Sequence, residues 1–167
     1  ALRMTCEPDG RLIVLSPVYY RYEQAASRMG LQTVRVPLKN DGERFSIDFA
    51  ALETAMADPK NRLLVLCNPH NPGGRVWSPE ELRCVAEICT ANGTLVVSDE
   101  IHADLTLPGH RHTVFATVSE HARMNSVTYM APSKTFNLAG LQNSFLLLPD
   151  PALREKYDDF VRRVAHV

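Results

Sequence analysis

The stretch NRLLVLCNPHNPGGRVWSPEELRCVAEICTAN, residues 61–92, decides the fold class. Leu63-Leu64-Val65-Leu66 is a short, continuous apolar run, the pattern of a strand buried on both faces. A Pro- and Gly-rich segment, residues 68–74, interrupts it. Ser78-Pro79-Glu80-Glu81 then opens a helix: Ser78 can cap, Pro79 suits the first turn, and Glu81 completes a capping box. Leu82, Val85, Ala86 and Cys89 form one apolar stripe, and Gly93 follows as a stop.

The same alternation extends in both directions. Short β-branched or aliphatic runs occur at residues 12–15, 33–36, 94–98, 126–129 and 144–148. Helical patterns lie between them, at about 20–29, ending on Gly30, and at about 48–57, with Leu52, Ala55 and Met56 inward and Pro59 beyond. Strands alternating with helices predict an α/β fold, a mostly parallel sheet sandwiched by helices. A last helix opens at Asp150-Pro151, with Leu153, Tyr157, Phe160, Val161 and Val164 on one face. Its pattern is still running at Val167, and residues 1–5 read like the tail of a helix, so the chain reads as cut at both ends.

The 167 residues suit one domain with a sizeable core, at 45% hydrophobic and 22% charged. The formal net charge of -1, with the signs mixed along the chain, offers no basic stripe for nucleic acid and no basic amphipathic face for membranes. No apolar run approaches the length of a membrane span, and no signal peptide is visible. The four cysteines, Cys6, Cys67, Cys84 and Cys89, match no zinc module, and they read as reduced cytoplasmic thiols, with Cys84 and Cys89 packing as small apolar groups.

Three polar strings sit at or just past the ends of predicted strands: Asn68-Pro69-His70-Asn71-Pro72-Gly73-Gly74, Ser98-Asp99-Glu100-Ile101-His102 and Ala131-Pro132-Ser133-Lys134-Thr135-Phe136-Asn137. Ligands of open α/β sheets bind outside the C-terminal strand ends, so the three strings point to one site. Singly, each has an ordinary explanation: a turn, a helix-capping acid, a surface lysine. His102, His110, His112 and Asp104 lie close in sequence, but Pro108-Gly109 reads as a loop and no metal site is expected.

Taken together and in order, CNPHNPGGRVW, SDEIHAD and APSKTFNLAGLQ resemble fold-type I pyridoxal-phosphate enzymes. This is the aspartate-aminotransferase superfamily, class I/II, and the wording is similar to its cystathionine β-lyase-like branch (MalY/PatB type). The resemblance runs from Ser16-Pro17-Val18-Tyr19-Tyr20 to Gln142. It implies pyridoxal 5'-phosphate as cofactor, an electron sink that the protein binds and tunes. It implies Lys134 as the catalytic Schiff-base lysine, which also moves the Cα proton and must be neutral for part of the cycle. Asp99 would pair with the pyridine nitrogen, and Asn71 would donate to the phenolic O3′. His102 would lie near the ring, where many aminotransferases carry a tyrosine. Tyr19 matches the ring-stacking aromatic, with Tyr20 leaving the register open by one. Ser133 is a further candidate contact at the phosphate, and Ser16-Pro17 and Asn71-Pro72 are candidate cis bonds.

Two positions depart from many relatives: Gln142 stands where an arginine is usual, and Ala131 where Ser or Thr is usual. By the same resemblance, residues 1–149 are the central part of the cofactor-binding large domain, and 150–167 begin a helix leading to a C-terminal small domain. The implied activity is a carbon–sulfur β-lyase that converts cystathionine or a cysteine conjugate to thiol, pyruvate and ammonia. An aminotransferase is the first alternative, and a cofactor-binding sensor domain of a transcription regulator the second. The partners implied are an amino-acid substrate and a second subunit, in a cytoplasmic homodimer, with neither nucleic acid nor membrane.

Overall fold

A computed structural model describes residues 10–165. The expected N-terminal helical tail and Cys6 lie outside the described residues. Among the described residues, eight strands and five α-helices follow one another: β1 (Arg11–Ser16), α1 (Arg21–Arg28), β2 (Gln32–Pro37), β3 (Lys39–Asn40), β4 (Phe45–Ser46), α2 (Phe49–Met56), β5 (Asn61–Cys67), α3 (Pro79–Ala91), β6 (Leu95–Asp99), α4 (Glu120–Met124), β7 (Ser126–Met130), β8 (Phe145–Leu147) and α5 (Pro151–Ala165). Six strands form one sheet in the order β2-β1-β5-β6-β7-β8. All its pairs are parallel except β7 with β8. The short β3-β4 hairpin and α4 had no legible signal in the sequence.

The buried runs behave as the doubly covered strand pattern requires. In β1, Ile13 and Leu15 face one core while Leu12 and Val14 face the other. In β5, Leu64 and Leu66 join the first core, and Leu63 and Val65 the second. The first core is closed by Leu52 and Met56 of α2 and by Leu82, Val85, Ala86 and Cys89 of α3. The second is closed by Ala26 of α1 and by Leu31. Phe160 of α5 reaches the same face, across a cavity of about 470 Å³ that also touches Val65 and Val97.

Helix ends follow their sequence signals. Ser78 Oγ accepts the Glu81 N–H at 3.1 Å, and the Glu81 carboxylate accepts the Ser78 N–H at 2.7 Å, the reciprocal capping box that opens α3. Asp48 caps α2 through the Ala51 N–H at 3.2 Å. Gly30 and Gly93 take φ of 74° and 62° just past α1 and α3, where a side chain would be strained. Two expectations need correction. Cys84 is exposed, because the inward stripe of α3 is Leu82, Val85, Ala86 and Cys89. Val164 is also exposed, at 55%, one turn beyond the half-buried Phe160 and Val161.

Candidate functional site

The strand order reverses between β1 and β5: the chain goes from β1 to β2 on one side, then to β5, β6 and β7 on the other. Loops leaving such a switch point diverge and open a crevice at the C-terminal strand ends. The three polar strings leave β5, β6 and β7 at this edge. Register keeps them level, with Cys67 opposite Asp99 and Asp99 opposite Tyr129. The Asn68 N–H bonds the Asp99 carbonyl at 2.9 Å, and the Glu100 N–H bonds the Tyr129 carbonyl at 2.8 Å, so the row is stitched just past the strands. A ring nitrogen of His70, Nε2, lies 3.3 Å from the Leu15 carbonyl, tying the first string across to the end of β1.

Each candidate residue can be located on this edge. Asp99, half-buried, is the last residue of β6. Its Oδ2 accepts the Tyr22 hydroxyl at 2.6 Å, and its Oδ1 accepts the Ile101 N–H at 3.2 Å. Asn71 and His102 line one cavity, together with Arg44, Arg75 and His110. Burial pushes the His102 imidazole below its usual range; the Asp99 charge opposes this and the Lys134 charge adds to it. The two charges that bear on His102 thus come from the end of β6, in its own string, and from the turn after β7. Lys134 itself is exposed in that turn, and Ser133 beside it is half-buried. The neighbouring Thr135 hydroxyl donates to Asp104 Oδ2 at 2.8 Å, joining the lysine turn to the loop after β6.

Tyr19 follows β1 and is 40% exposed. Its ring meets the Tyr22 ring edge-on at 5.8 Å, whereas the Tyr20 ring carries the Arg21 guanidinium at 5.0 Å. Tyr19 is therefore the member of the pair in contact with the Tyr22–Asp99 unit. Ser16-Pro17 and Asn71-Pro72 are cis, as is Asn68-Pro69, which carried no sequence signal. Gln142 takes a left-handed φ of 49° and is exposed.

Several residues of the edge were not anticipated. Tyr22 lay within the helical pattern of α1 and carried no signal of its own. Cys67 read as an inert thiol, yet its Sγ accepts the Asn71 N–H at 3.3 Å and burial pushes the thiol up from its usual range. The Trp77 indole donates to the Cys67 carbonyl at 3.0 Å, locking the start of the first string. Glu100 is 1% exposed and accepts the Ser98 hydroxyl at 2.8 Å and the Phe115 N–H at 2.9 Å. Its other oxygen lies 2.7 Å from His112 Nε2. An acid followed by an acid gave no hint that one points to the site and the other into the core.

The sequence profile of the family described as "Aminotransferase class I and II" matches residues 1–166. Cystathionine beta-lyase PatB of Bacillus subtilis (strain 168) is 44% identical over 163 residues, which are 98% of this chain and 42% of that protein. Among solved structures, cystalysin from Treponema denticola, which contains a pyridoxal 5'-phosphate cofactor, superposes with a TM-score of 0.90 at 36% identity, covering 93% of this chain and 40% of cystalysin. N-succinyldiaminopimelate aminotransferase from Mycobacterium tuberculosis superposes with a TM-score of 0.86 at 30% identity, covering 93% of this chain and 40% of that one. The chain thus spans about two fifths of the length of these relatives.

Proposed function

Since the chain belongs to the class I and II aminotransferase family, we propose that it carries the lysine and ring contacts of a pyridoxal-phosphate enzyme whose parent activity is carbon–sulfur β-elimination. The substrate class is cystathionine or a cysteine conjugate, and the products are a thiol, pyruvate and ammonia. One observation carries this reading: an acid, an amide, an imidazole and a lysine leave neighbouring parallel strands on one edge, beside the strand-order reversal.

The donor set suits the cofactor's ring. Asp99 is half-buried, and its Oδ1, which accepts only the Ile101 N–H at 3.2 Å, keeps acceptor capacity for a ring nitrogen. When bound, pyridoxal phosphate supplies an electron sink for the Cα carbanion of an amino acid. Lys134 would hold the cofactor through its amine and, once that amine is free and neutral, would move the Cα proton. Asp99 would hold a proton at the ring nitrogen, which deepens the sink. Asn71 would donate its side-chain amide to the phenolic oxygen, with His102 beside it, neutral because burial disfavours its cation. Tyr19 would lie against the ring face, and Ser133 would offer its hydroxyl to the phosphate. Gln142 carries no charge where many relatives have an arginine, so phosphate neutralisation would come largely from residues other than it. Residues 1–149 would be the central part of the large domain and 150–167 the start of the connection to a small domain. The whole protein would be a cytoplasmic homodimer; no helix among the described residues is long and apolar enough to cross a membrane.

An aminotransferase is the second reading, supported by the likeness to the M. tuberculosis aminotransferase. Elimination is favoured by the higher identity to PatB, 44% against 30%. The test is full-length protein with pyridoxal phosphate and cystathionine, beside Lys134→Ala. Pyruvate release without any added 2-oxo acid supports the lyase. Transfer of the amino group to a 2-oxo acid, without release, supports the aminotransferase. A borohydride-labelled Lys134 with neither activity points instead to a sensor domain.

A further inference from the structure

Tyr22 is a phenol in the wrong place for a simple core residue. It lies on α1, on the second face of the sheet, and lines the 470 Å³ cavity with Val65, Val97, Tyr129 and Asp99. Val65 and Val97 would be served equally well by phenylalanine. The hydroxyl instead reaches 77 residues along the chain to Asp99 Oδ2, at 2.6 Å. That length is typical of a charge-assisted O–H···O⁻ bond.

We propose that Tyr22 is a positioning residue for Asp99: its hydroxyl holds the carboxylate by Oδ2 and sets how firmly the acid grips a proton on the nitrogen of a heteroaromatic ring. The inference rests on the pyridoxal-phosphate reading and deepens it. A donor on one carboxylate oxygen draws charge toward that oxygen and leaves the other a weaker acceptor. The site is half-buried, and low local dielectric strengthens the effect. The charged and titratable neighbours of Asp99 are few. Cys67 approaches from β5, Tyr129 from β7 and His102 from the loop after β6. None of these three bonds the carboxylate; its donors among the described residues are the Tyr22 hydroxyl and the Ile101 N–H. Burial first, then the neighbouring Cys67 and Asp99, push the Tyr22 phenol far above the usual tyrosine range, so it stays a donor throughout the working pH range.

The experiment is an NMR titration of full-length holoenzyme loaded with ring-¹⁵N pyridoxal phosphate, in which the ¹⁵N shift reports protonation of the ring nitrogen. Tyr22→Phe removes the competing donor, so the ring proton is retained to higher pH, by about one unit, the scale of one hydrogen bond to a charged group. Replacing Tyr22 by 2,3-difluorotyrosine keeps the shape and strengthens the donor, and it moves the titration to lower pH. Opposite shifts in the two variants are the expected result; mere loosening of the site would not reverse sign with donor strength. An unchanged titration in both, or a downward shift in Tyr22→Phe, overturns the proposal. Two controls separate this from failure of the underlying reading. If borohydride does not label Lys134 in the wild type, the cofactor assignment falls and the proposal with it. If it does, but Asp99→Asn leaves the ring nitrogen's titration untouched, Asp99 is not its partner and the Tyr22 role is overturned on that ground.

Discussion

His112→Ala should destabilise the fold more than its place in a loop suggests, and a second substitution should undo most of the loss. The side chains of Glu100 and His112 are 0% and 9% exposed, and Glu100 Oε2 lies 2.7 Å from the imidazole. Removing the imidazole leaves a fully buried carboxylate oxygen without its partner, at about 1–3 kcal/mol, and more for a charged group. Glu100 Oε1 keeps two donors, the Ser98 hydroxyl and the Phe115 N–H, so about 2–3 kcal/mol is expected. Adding Glu100→Gln removes the stranded charge while its amide oxygen still accepts both donors. The double variant should then lose only about 1 kcal/mol, the scale of an unpaired neutral group. Urea unfolding of the cofactor-free, full-length protein measures both, since ligand present in excess would stabilise the native state and mask the difference. A loss below about 1 kcal/mol for His112→Ala, or a double variant less stable than the single, would refute the reasoning.

Three further outcomes follow from local features. Ser78→Ala breaks the capping box of α3 and should cost about 1 kcal/mol of stability in the same urea assay. Asp48 is held below the usual carboxylate range by the Ala51 N–H and then by Lys39, so its stabilising effect is present above the ordinary carboxylate pKa and lost as pH falls through the lowered value. The stability gap between wild type and Asp48→Ala should therefore close in acid, and a gap that widens would contradict this. His102 should titrate by NMR below the usual imidazole range. Lys134→Ala should raise that midpoint only partly, because burial is the larger cause. Stability tied to His102 falls as pH drops below the ordinary imidazole value, where the unfolded chain takes up the proton first.

How much was legible depended on whether the signal was local. The capping box at Ser78, the stripe of α3 and the glycine stops are written within one or two turns of sequence, and the structure reproduces them. The runs at 12–15 and 63–66 needed only a sheet covered on both faces, which the alternation with helices already implied. The β3-β4 hairpin is two residues per strand, too short to carry a period. Cys84 was misjudged because membership of a helical pattern was taken for membership of its inward face. For the site, the order of the three strings was legible, but their depth was not. Glu100 and Asp99 are adjacent and alike in sequence. Extended geometry at the end of β6 sends one to the crevice and the other to Ser98, Phe115 and His112.

Tyr22 shows why such residues escape a sequence reading. Its helix presents Tyr22, Ala25, Ala26 and Met29 to the sheet at helical spacing, and an aromatic ring in that stripe satisfies the pattern completely. Only the hydroxyl is left unexplained, and its partner lies on β6, beyond four intervening strands of sequence. The requirement that produces it comes from the acid. Asp99 stands level with Cys67 and Tyr129 in a row across the sheet, where a carboxylate is partly withdrawn from water. An ionised group at that depth needs donors, and the backbone supplies only the Ile101 N–H. A phenol reaching in from α1, on the same face of the sheet, supplies a second without bringing in a positive charge. A lysine or arginine in its place would compete electrostatically with any cationic ring at the other oxygen. A neutral donor satisfies the acid and leaves its charge available, which is why the choice of tyrosine over a basic residue at position 22 bears on the chemistry and not only on packing.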